Sequence, residues 1–368
     1  MRRRPRAAPT RLTTALAALA ILVLGQAACD EAAPAPSVVR ETVSGDWIRV
    51  TFTNPQYPDD TDAHQGGLDE QLATIIGYAE SRVDVAAYDF DLESVTGALL
   101  AAHQRGVQVR FVTESDNADE EAVRQLLQAG IPVVEDQRDE GLMHNKYVVI
   151  DAQWVWLGSW NLTNNGTFRN NNHAVLIASS ALAQNYTTEF DEMFAGQFGP
   201  TSPANTPNPT IVTTVDTGDG QQKQVTIESY FAPEDGAAAE IIAEIAAAQE
   251  RIRFMAFTFT SDEIADALLA RARDGVVVQG VIEARNAERE YSEYERLRRE
   301  VHDVLPDGNP YIMHHKVIIV DDATVILGSY NFTASAETRN DENVLIIHDA
   351  EVAALFVDEF GRVYEQAR

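Results

Sequence analysis

The chain has 368 residues, 45% of them hydrophobic, which is material for two domain-sized cores at about 100–200 residues each. Its 57 acidic residues against 28 basic ones leave a net charge of −29. That balance disfavours long-range capture of a polyanion, because phosphate contacts supply most non-specific nucleic-acid affinity. A single cysteine excludes disulfides within one chain.

In chain order, Arg2, Arg3, Arg4, Arg6 and Arg11 come before or at the start of an apolar stretch from Leu12 to Leu24, which leads to Gly25-Gln26-Ala27-Ala28-Cys29. A basic region, a short apolar core and small residues before a cut describe a bacterial export signal over residues 1–28. The stretch is shorter than the ~20 apolar residues a membrane span needs. Cys29 stands where the lipid-modified cysteine of a bacterial lipoprotein stands, with Gln26 in place of the usual aliphatic residue. The expected localisation is the cell envelope, by a membrane tether through Cys29, or secretion. Residues 29–46, beginning acidic and rich in Ala and Pro, read as that tether.

Residues 47–200 read as a first α/β domain. Val83 to Tyr88, Val107 to Val112 and Tyr147 to Ile150 are short β-branched or aromatic runs bounded by turn residues. Between them, Ser94 to Arg105 and Ala122 to Ala129 carry helical periodicity, with Gly106 and Gly130 at the positions of helix C-caps. Residues 201–224 contain Pro203, Pro207 and Pro209 and read as a linker, its later part a hairpin around Gly218-Asp219-Gly220. Residues 225–368 repeat the first scheme. Arg251 to Phe257 aligns with Arg82 to Tyr88, Gly275 with Gly106, and Tyr230 to Pro233 with Phe52 to Pro55. Self-similarity at this period means two copies of one domain rather than a solenoid. Alternating strands and helices predict, in each half, a mixed β-sheet flanked by helices, an α/β fold.

The repeat is sharpest over its polar residues. His144, Lys146 and Asp151 precede Gly158-Ser159-Trp160-Asn161; 170 residues later, His314, Lys316 and Asp321 precede Gly328-Ser329-Tyr330-Asn331. An imidazole, an ammonium and an amide supplied twice suit one site where two halves meet on a phosphate. Lys146 and Lys316 can neutralise charge on non-bridging oxygens, and Asn161 and Asn331 can donate hydrogen bonds to them. One histidine can act as nucleophile and split the displacement into two easier steps. The other can donate a proton to the leaving oxygen and later take one from water.

At these residues the chain resembles the phospholipase D superfamily, whose signature is the duplicated H-x-K-x4-D block followed by G-S-x-N. The second block, through Thr338-Arg339-Asn340-Asp341-Glu342-Asn343, is similar to small bacterial nucleases of that superfamily, which dimerise to build their site. The resemblance implies two pseudo-symmetric α/β/α domains, a site between them, a phosphohistidine intermediate, no cofactor and no metal. With both copies in one chain, a monomer is expected. It further implies that the residue 28 positions after each histidine reaches the histidine of the opposite half. Glu342 would then orient His144, and Asn172 would orient His314. On that basis His144 is expected as nucleophile and His314 as general acid and base. Asp151 and Asp321 are expected to be structural, and Ser159 and Ser329 to support the site by hydrogen bonding rather than attack.

Three enzymatic readings follow: a phospholipase-type hydrolase of a phospholipid, a nuclease for which nucleic acid is the substrate, and a phosphatidyl transferase. A non-catalytic phosphate- or lipid-binding module is the fourth. The phospholipase reading is preferred. His315, next to His314 on a strand, should point to the opposite face and pack or be solvated rather than pair with it on a metal. His64, His103, His173, His302 and His348 show no ligand spacing. Trp154 and Trp156 share a strand face and are expected in the core. Arg285 to Pro310 reads as a solvated helix and loop.

Overall fold

The computed structural model describes residues 37–44, 46–217 and 221–368. The residues expected to form an export signal, Cys29 and half of the expected tether lie outside the described residues. Each half is built on strands whose apolar residues run almost without interruption, as strands covered on both faces require. The first half contains β1 (Val39–Ser44), β2 (Ile48–Thr53), β3 (Arg82–Ala87), β4 (Gln108–Thr113) and β5 (Val133–Glu135). It continues with β6 (Lys146–Ile150), β7 (Trp154–Gly158), β8 (Asn170–Asn171) and β9 (His173–Ala178). The second half contains β10 (Thr210–Asp216), β11 (Gln222–Ala232), β12 (Arg251–Ala256), β13 (Val277–Ile282) and β14 (Val304–Pro306). It ends with β15 (Ile312–Met313), β16 (Lys316–Val320), β17 (Thr324–Gly328) and β18 (Glu342–His348).

Two eight-stranded mixed sheets result, with orders β1-β2-β9-β7-β6-β3-β4-β5 and β10-β11-β18-β17-β16-β12-β13-β14. The orders are the same, strand for strand, which confirms the duplicated α/β architecture. In each, two strands run parallel to the strand before them (β3, β4, β5; β12, β13, β14) and the others pair antiparallel. The helices fall close to where periodicity puts them: Glu93–Gln104, Glu121–Gln128 and Asp262–Arg273. Gly106 and Gly130 follow two of them at φ 91° and 84°, the left-handed step that ends a helix.

Side chains of the central strands alternate between two cores. On β6, Tyr147 and Val149 enter a core shared by both halves, while Val148 and Ile150 enter the outer core of the first half. On β16, Val317 and Ile319 join the shared core, and Ile318 and Val320 the outer core of the second half. The helices Ser180–Phe194 and Ala350–Gln366 lie in that shared layer, contributing Tyr186 and Phe190 from one and Phe356 and Phe360 from the other. Residues 37–368 therefore form one compact unit rather than two separable ones.

Three expectations are corrected. Residues 39–44, assigned to the tether, are edge strand β1, paired along its length with β2. The stretch 201–224 is not all linker, since Thr210–Asp216 pairs with β11 in the expected hairpin. The pairing of Phe52 with Tyr230 is off by one: Phe52 faces His173 and Phe231 faces Asn343, so Phe52 and Phe231 are equivalent. Pro55 and Pro233 are likewise one position apart and not equivalent.

Candidate active site

Both histidines sit immediately before a central strand and are anchored by the other half. His144 N donates to Asp341 O (3.0 Å) and His314 N to Asn171 O (2.9 Å). Beside them, Ile312 and Met313 of β15 pair in parallel with Asn170 and Asn171 of β8, and Met143 bridges Asp341. The chain segments that carry the imidazoles are thus stitched across the junction, and neither histidine is placed without the opposite half.

The side chains cross in the same way. His144 Nδ1 lies 2.7 Å from Glu342 Oε2, and His314 Nδ1 lies 3.0 Å from Asn172 Oδ1. With Nδ1 engaged in the crossed pairs, Nε2 is the ring nitrogen left to react on each, and His314 also has a backbone hydrogen bond to Ser159. Ser329 Oγ donates to Glu342 Oε2 (2.7 Å), and Asn340 Nδ2 donates to Glu342 Oε1 (3.0 Å). In the first half Ser159 Oγ donates to Asn172 Oδ1 (2.9 Å), and Asn172 Nδ2 donates to Gly166 O (2.9 Å). Both serines are fully buried, and each also accepts a backbone N–H, from His173 and from Asn343. Each hydroxyl is thus committed to the residue that faces a histidine.

Lys146 and Lys316 are almost wholly buried, each donating to the carbonyl of its own histidine (Lys146 Nζ to His144 O, 2.6 Å; Lys316 Nζ to His314 O, 2.8 Å). Each ammonium lies over an aromatic ring, Lys146 over Tyr88 at 4.9 Å and Lys316 over Phe257 at 4.8 Å. The same two rings meet the histidines edge-on, at 4.8 and 4.6 Å. Asn161 and Asn331 are half-buried, and each has a buried Oδ1 with no hydrogen-bond partner among the described residues. Oδ1 is an acceptor, so a phosphate oxygen would meet the Nδ2 of each amide and not this open atom.

Electrostatics points the same way. Burial pushes the His144 imidazole down to about 4, against the pull of Glu342, and pushes Lys146 down to about 7. His314 and Lys316 are driven well below their ordinary values, by burial first and then by the other cations of the site. Glu342 stays below the usual carboxylate range despite its burial, because His144 and Lys146 hold its negative charge. Four basic groups are gathered where few of them can be charged at once. An entering phosphate removes that conflict, and this is the chemistry of an anion site.

The remaining expected residues are placed as follows. Asp151 accepts from the backbone N–H groups of Glu80, Ser81 and Arg82, and Asp321 from those of Gln249, Glu250 and Arg251. Both tie a strand end to a turn, away from the histidines. His315 does point away from His314, into the fully buried layer behind it. There its Nε2 lies 3.1 Å from Glu359 and its Nδ1 lies 3.1 Å from His173 Nδ1. Trp156 is in the core, but Trp154 is 37% exposed, since it opens β7 at the rim of the sheet. His348 departs from expectation by lying with Glu228 and Glu244.

Behind the catalytic pairs lies a layer that motif reading did not reveal. Asn343 Nδ2 donates to Asn145 Oδ1 (2.8 Å), and Asn145 Nδ2 donates to Glu189 (3.2 Å). The equivalents of Asn145, Asn343 and Glu189, each 170 residues away around the repeat, are His315, His173 and Glu359. The signal was present as a paired exchange: two asparagines in one arm of the layer are two histidines in the other.

Comparison with known proteins bears on the family. A family model described as "Cardiolipin synthase, PLD-like domain" matches residues 72–194 and again 241–364. A phospholipase D of Rickettsia conorii is 37% identical over 134 residues, 36% of this chain and 67% of that protein. The human mitochondrial cardiolipin hydrolase is 34% identical over 132 residues, 36% of this chain and 52% of that protein. The phosphatidylserine synthase structure of Haemophilus influenzae superposes with a TM-score of 0.61 at 15% identity, covering 82% of this chain and 85% of that one, a likeness of fold. The family model covers well over half of the chain, once per half and over both histidine–lysine blocks, so the chain belongs to the phospholipase D superfamily of phosphodiesterases.

Proposed function

We propose that the protein hydrolyses a phospholipid phosphodiester through a phosphohistidine intermediate formed on His144. The observation that carries this reading is the crossed pairing, a carboxylate on one histidine and a neutral amide on the other. His144 Nε2 attacks phosphorus, an N–P bond forms, and the bond from phosphorus to the head-group oxygen breaks. The departing oxygen takes the Nε2 proton of His314. Water then attacks phosphorus and gives a proton back to His314, and cleavage of the N–P bond releases phosphatidate and restores His144.

Glu342 favours His144 for the covalent role, because a phosphorylated imidazole carries positive charge that a carboxylate stabilises. His314 has a neutral amide, Asn172, where His144 has a carboxylate, so its protonated ring gives up a proton more readily, against a backbone hydrogen bond to Ser159 that favours the protonated form. Lys146, Lys316, Asn161 and Asn331 neutralise the non-bridging oxygens. Lipid as substrate is supported by the names of the relatives and by a net charge that opposes a polyanion.

The test is turnover of the purified protein on phosphatidylcholine vesicles and on single- and double-stranded DNA, with His144→Asn as blank. Choline release that vanishes in the blank is expected. DNA cleavage without choline release overturns the lipid reading. Rapid quench into alkaline detergent, which preserves the acid-labile N–P bond, with a phosphorus-labelled substrate should trap label on His314→Asn and none on His144→Asn; the reverse pattern exchanges the two roles.

A further inference from the structure

The two halves solve one problem differently. Glu189 and Glu359 occupy equivalent places on the helices Ser180–Phe194 and Ala350–Gln366, behind the catalytic layer. Glu359 is fully buried and saturated with positive charge. Its oxygens accept from Arg40 Nη1 (2.6 Å), Arg362 Nε (2.9 Å) and Arg362 Nη2 (2.6 Å), and face His315 Nε2. Glu189, 3% exposed, has Asn145 Nδ2 for a partner. Where the second half places Arg362, the first half places Glu192. A third carboxylate, Glu234, comes in from the turn after β11.

One oxygen from each of Glu189, Glu192 and Glu234 lies within 4.8 Å of the other two. Glu192 is 8% exposed, and its buried Oε1 has no hydrogen-bond partner; the buried Oε2 of Glu234 has none either. The charges acting most strongly on Glu189 are those of Glu234, Asp341 and Glu192, all acids. Arg138, the basic group near Asp341, is held by Asp136 and Asp341. The positive charge that the second half supplies with arginine is missing here, and three carboxylates, two of them with a buried unpartnered oxygen, stand in its place.

We propose that Glu189, Glu192 and Glu234 form a site for a hard divalent cation of the calcium type. Three oxygens within 4.8 Å of one another all lie within about 2.8 Å of a common centre, so a small inward shift brings them to a calcium–oxygen distance, and an all-carboxylate donor set favours calcium over zinc. The cation joins the helix Ser180–Phe194 of the first half to the turn after β11 of the second. Through Glu189 it also fixes Asn145, which follows His144 and holds Asn343, next to Glu342. Its role is to lock the two halves behind the histidines and not to take part in the reaction. The inference stands apart from the lipid reading.

The experiment uses the purified protein, stripped with EDTA, dialysed and titrated with calcium chloride at pH 7.5. Calorimetry should give one ion per chain, and the thermal midpoint should rise by about 5 °C at a hundredfold excess over Kd. Glu234→Gln, which keeps the shape of the side chain, should weaken binding at least tenfold. Glu192→Arg, which copies the Arg362 arrangement, should abolish binding and bring the midpoint in EDTA close to that of the calcium-loaded wild type. Absence of saturable calcium binding to the wild type overturns the proposal, and so does equal affinity in the wild type and both variants.

Discussion

At the scale of single residues, the site is a group of bases held partly uncharged until an anion arrives. Lys146, with its ammonium pushed down to about 7, is close to half-deprotonated in the empty site at neutral pH. A bound dianion restores the ammonium, so binding should take up a proton. The folded-state value is depressed, so the group is charged in the empty site only below about 7, and the linkage acts from there upward. Sulfate, titrated calorimetrically in buffers of different ionisation heat, should show proton uptake at pH 7–8, with affinity falling by up to about tenfold per pH unit above neutrality. Pure charge attraction between permanently charged lysines would give neither effect.

The same scale shows why Glu342 and Asn172 are not interchangeable. Asn172 Oδ1 accepts from His314 and Ser159 while its Nδ2 donates to Gly166 O. Asn172→Asp would turn that donation into a repulsion between carboxylate and carbonyl, at a cost of about 1–3 kcal/mol in stability. Glu342→Gln should lower kcat by about 10²–10⁴-fold, since it removes the charge that stabilises a positive His144, and its new amide, set against Asn340 Nδ2, carries a similar cost of about 1–3 kcal/mol. A denaturant midpoint beside a steady-state assay checks both, and a Glu342→Gln variant that kept the wild-type kcat would contradict the argument.

At the scale of elements, the G-S-x-N turn is a packing device as much as a chemical one. A Cβ on Gly158 would stand 2.3 Å from His173 O, and one on Gly328 would stand 2.2 Å from Asn343 O. Those carbonyls accept from Ser159 N and Ser329 N, so the close approach of β7 to β9 and of β17 to β18 is what seats the serine beneath its orienting residue. Gly328→Ala should cost about 2–3 kcal/mol by overpacking, and it should lower activity further than stability because Glu342 moves with Asn343. Urea unfolding and turnover on the same preparation check both. Legibility follows the same physics. Strands covered on both faces, such as β6 and β16, announce themselves as unbroken apolar runs. Edge strand β1, reading Val-Arg-Glu-Thr-Val-Ser, has no such run and gains its order from pairing with β2, so composition alone made it a tether. The catalytic blocks were visible because both copies kept their residues. The Asn145–Asn343 and His173–His315 pairs were not, because their meaning depends on which residues face each other across the junction.

At the scale of the whole molecule, a shared core makes the two halves one body, and a strongly negative shell surrounds a basic, buried site. These two features act on different steps of catalysis. For the proposed lipid substrate, the outer field acts on the approach to the lipid surface, over a Debye length of about 10 Å at 0.1 M salt and 3 Å at 1 M. The buried lysines and histidines act on bound phosphate, where salt screens little. On vesicles of anionic lipid, such as phosphatidylglycerol, KM should therefore fall several-fold between 0.1 and 1 M salt as repulsion is screened, with kcat nearly constant. On zwitterionic phosphatidylcholine vesicles KM should change less than twofold. If KM on anionic vesicles rose with salt instead, a local basic surface would be steering the substrate against the net charge, and the membrane-facing side of the molecule would have to be sought around that surface rather than inferred from the shell.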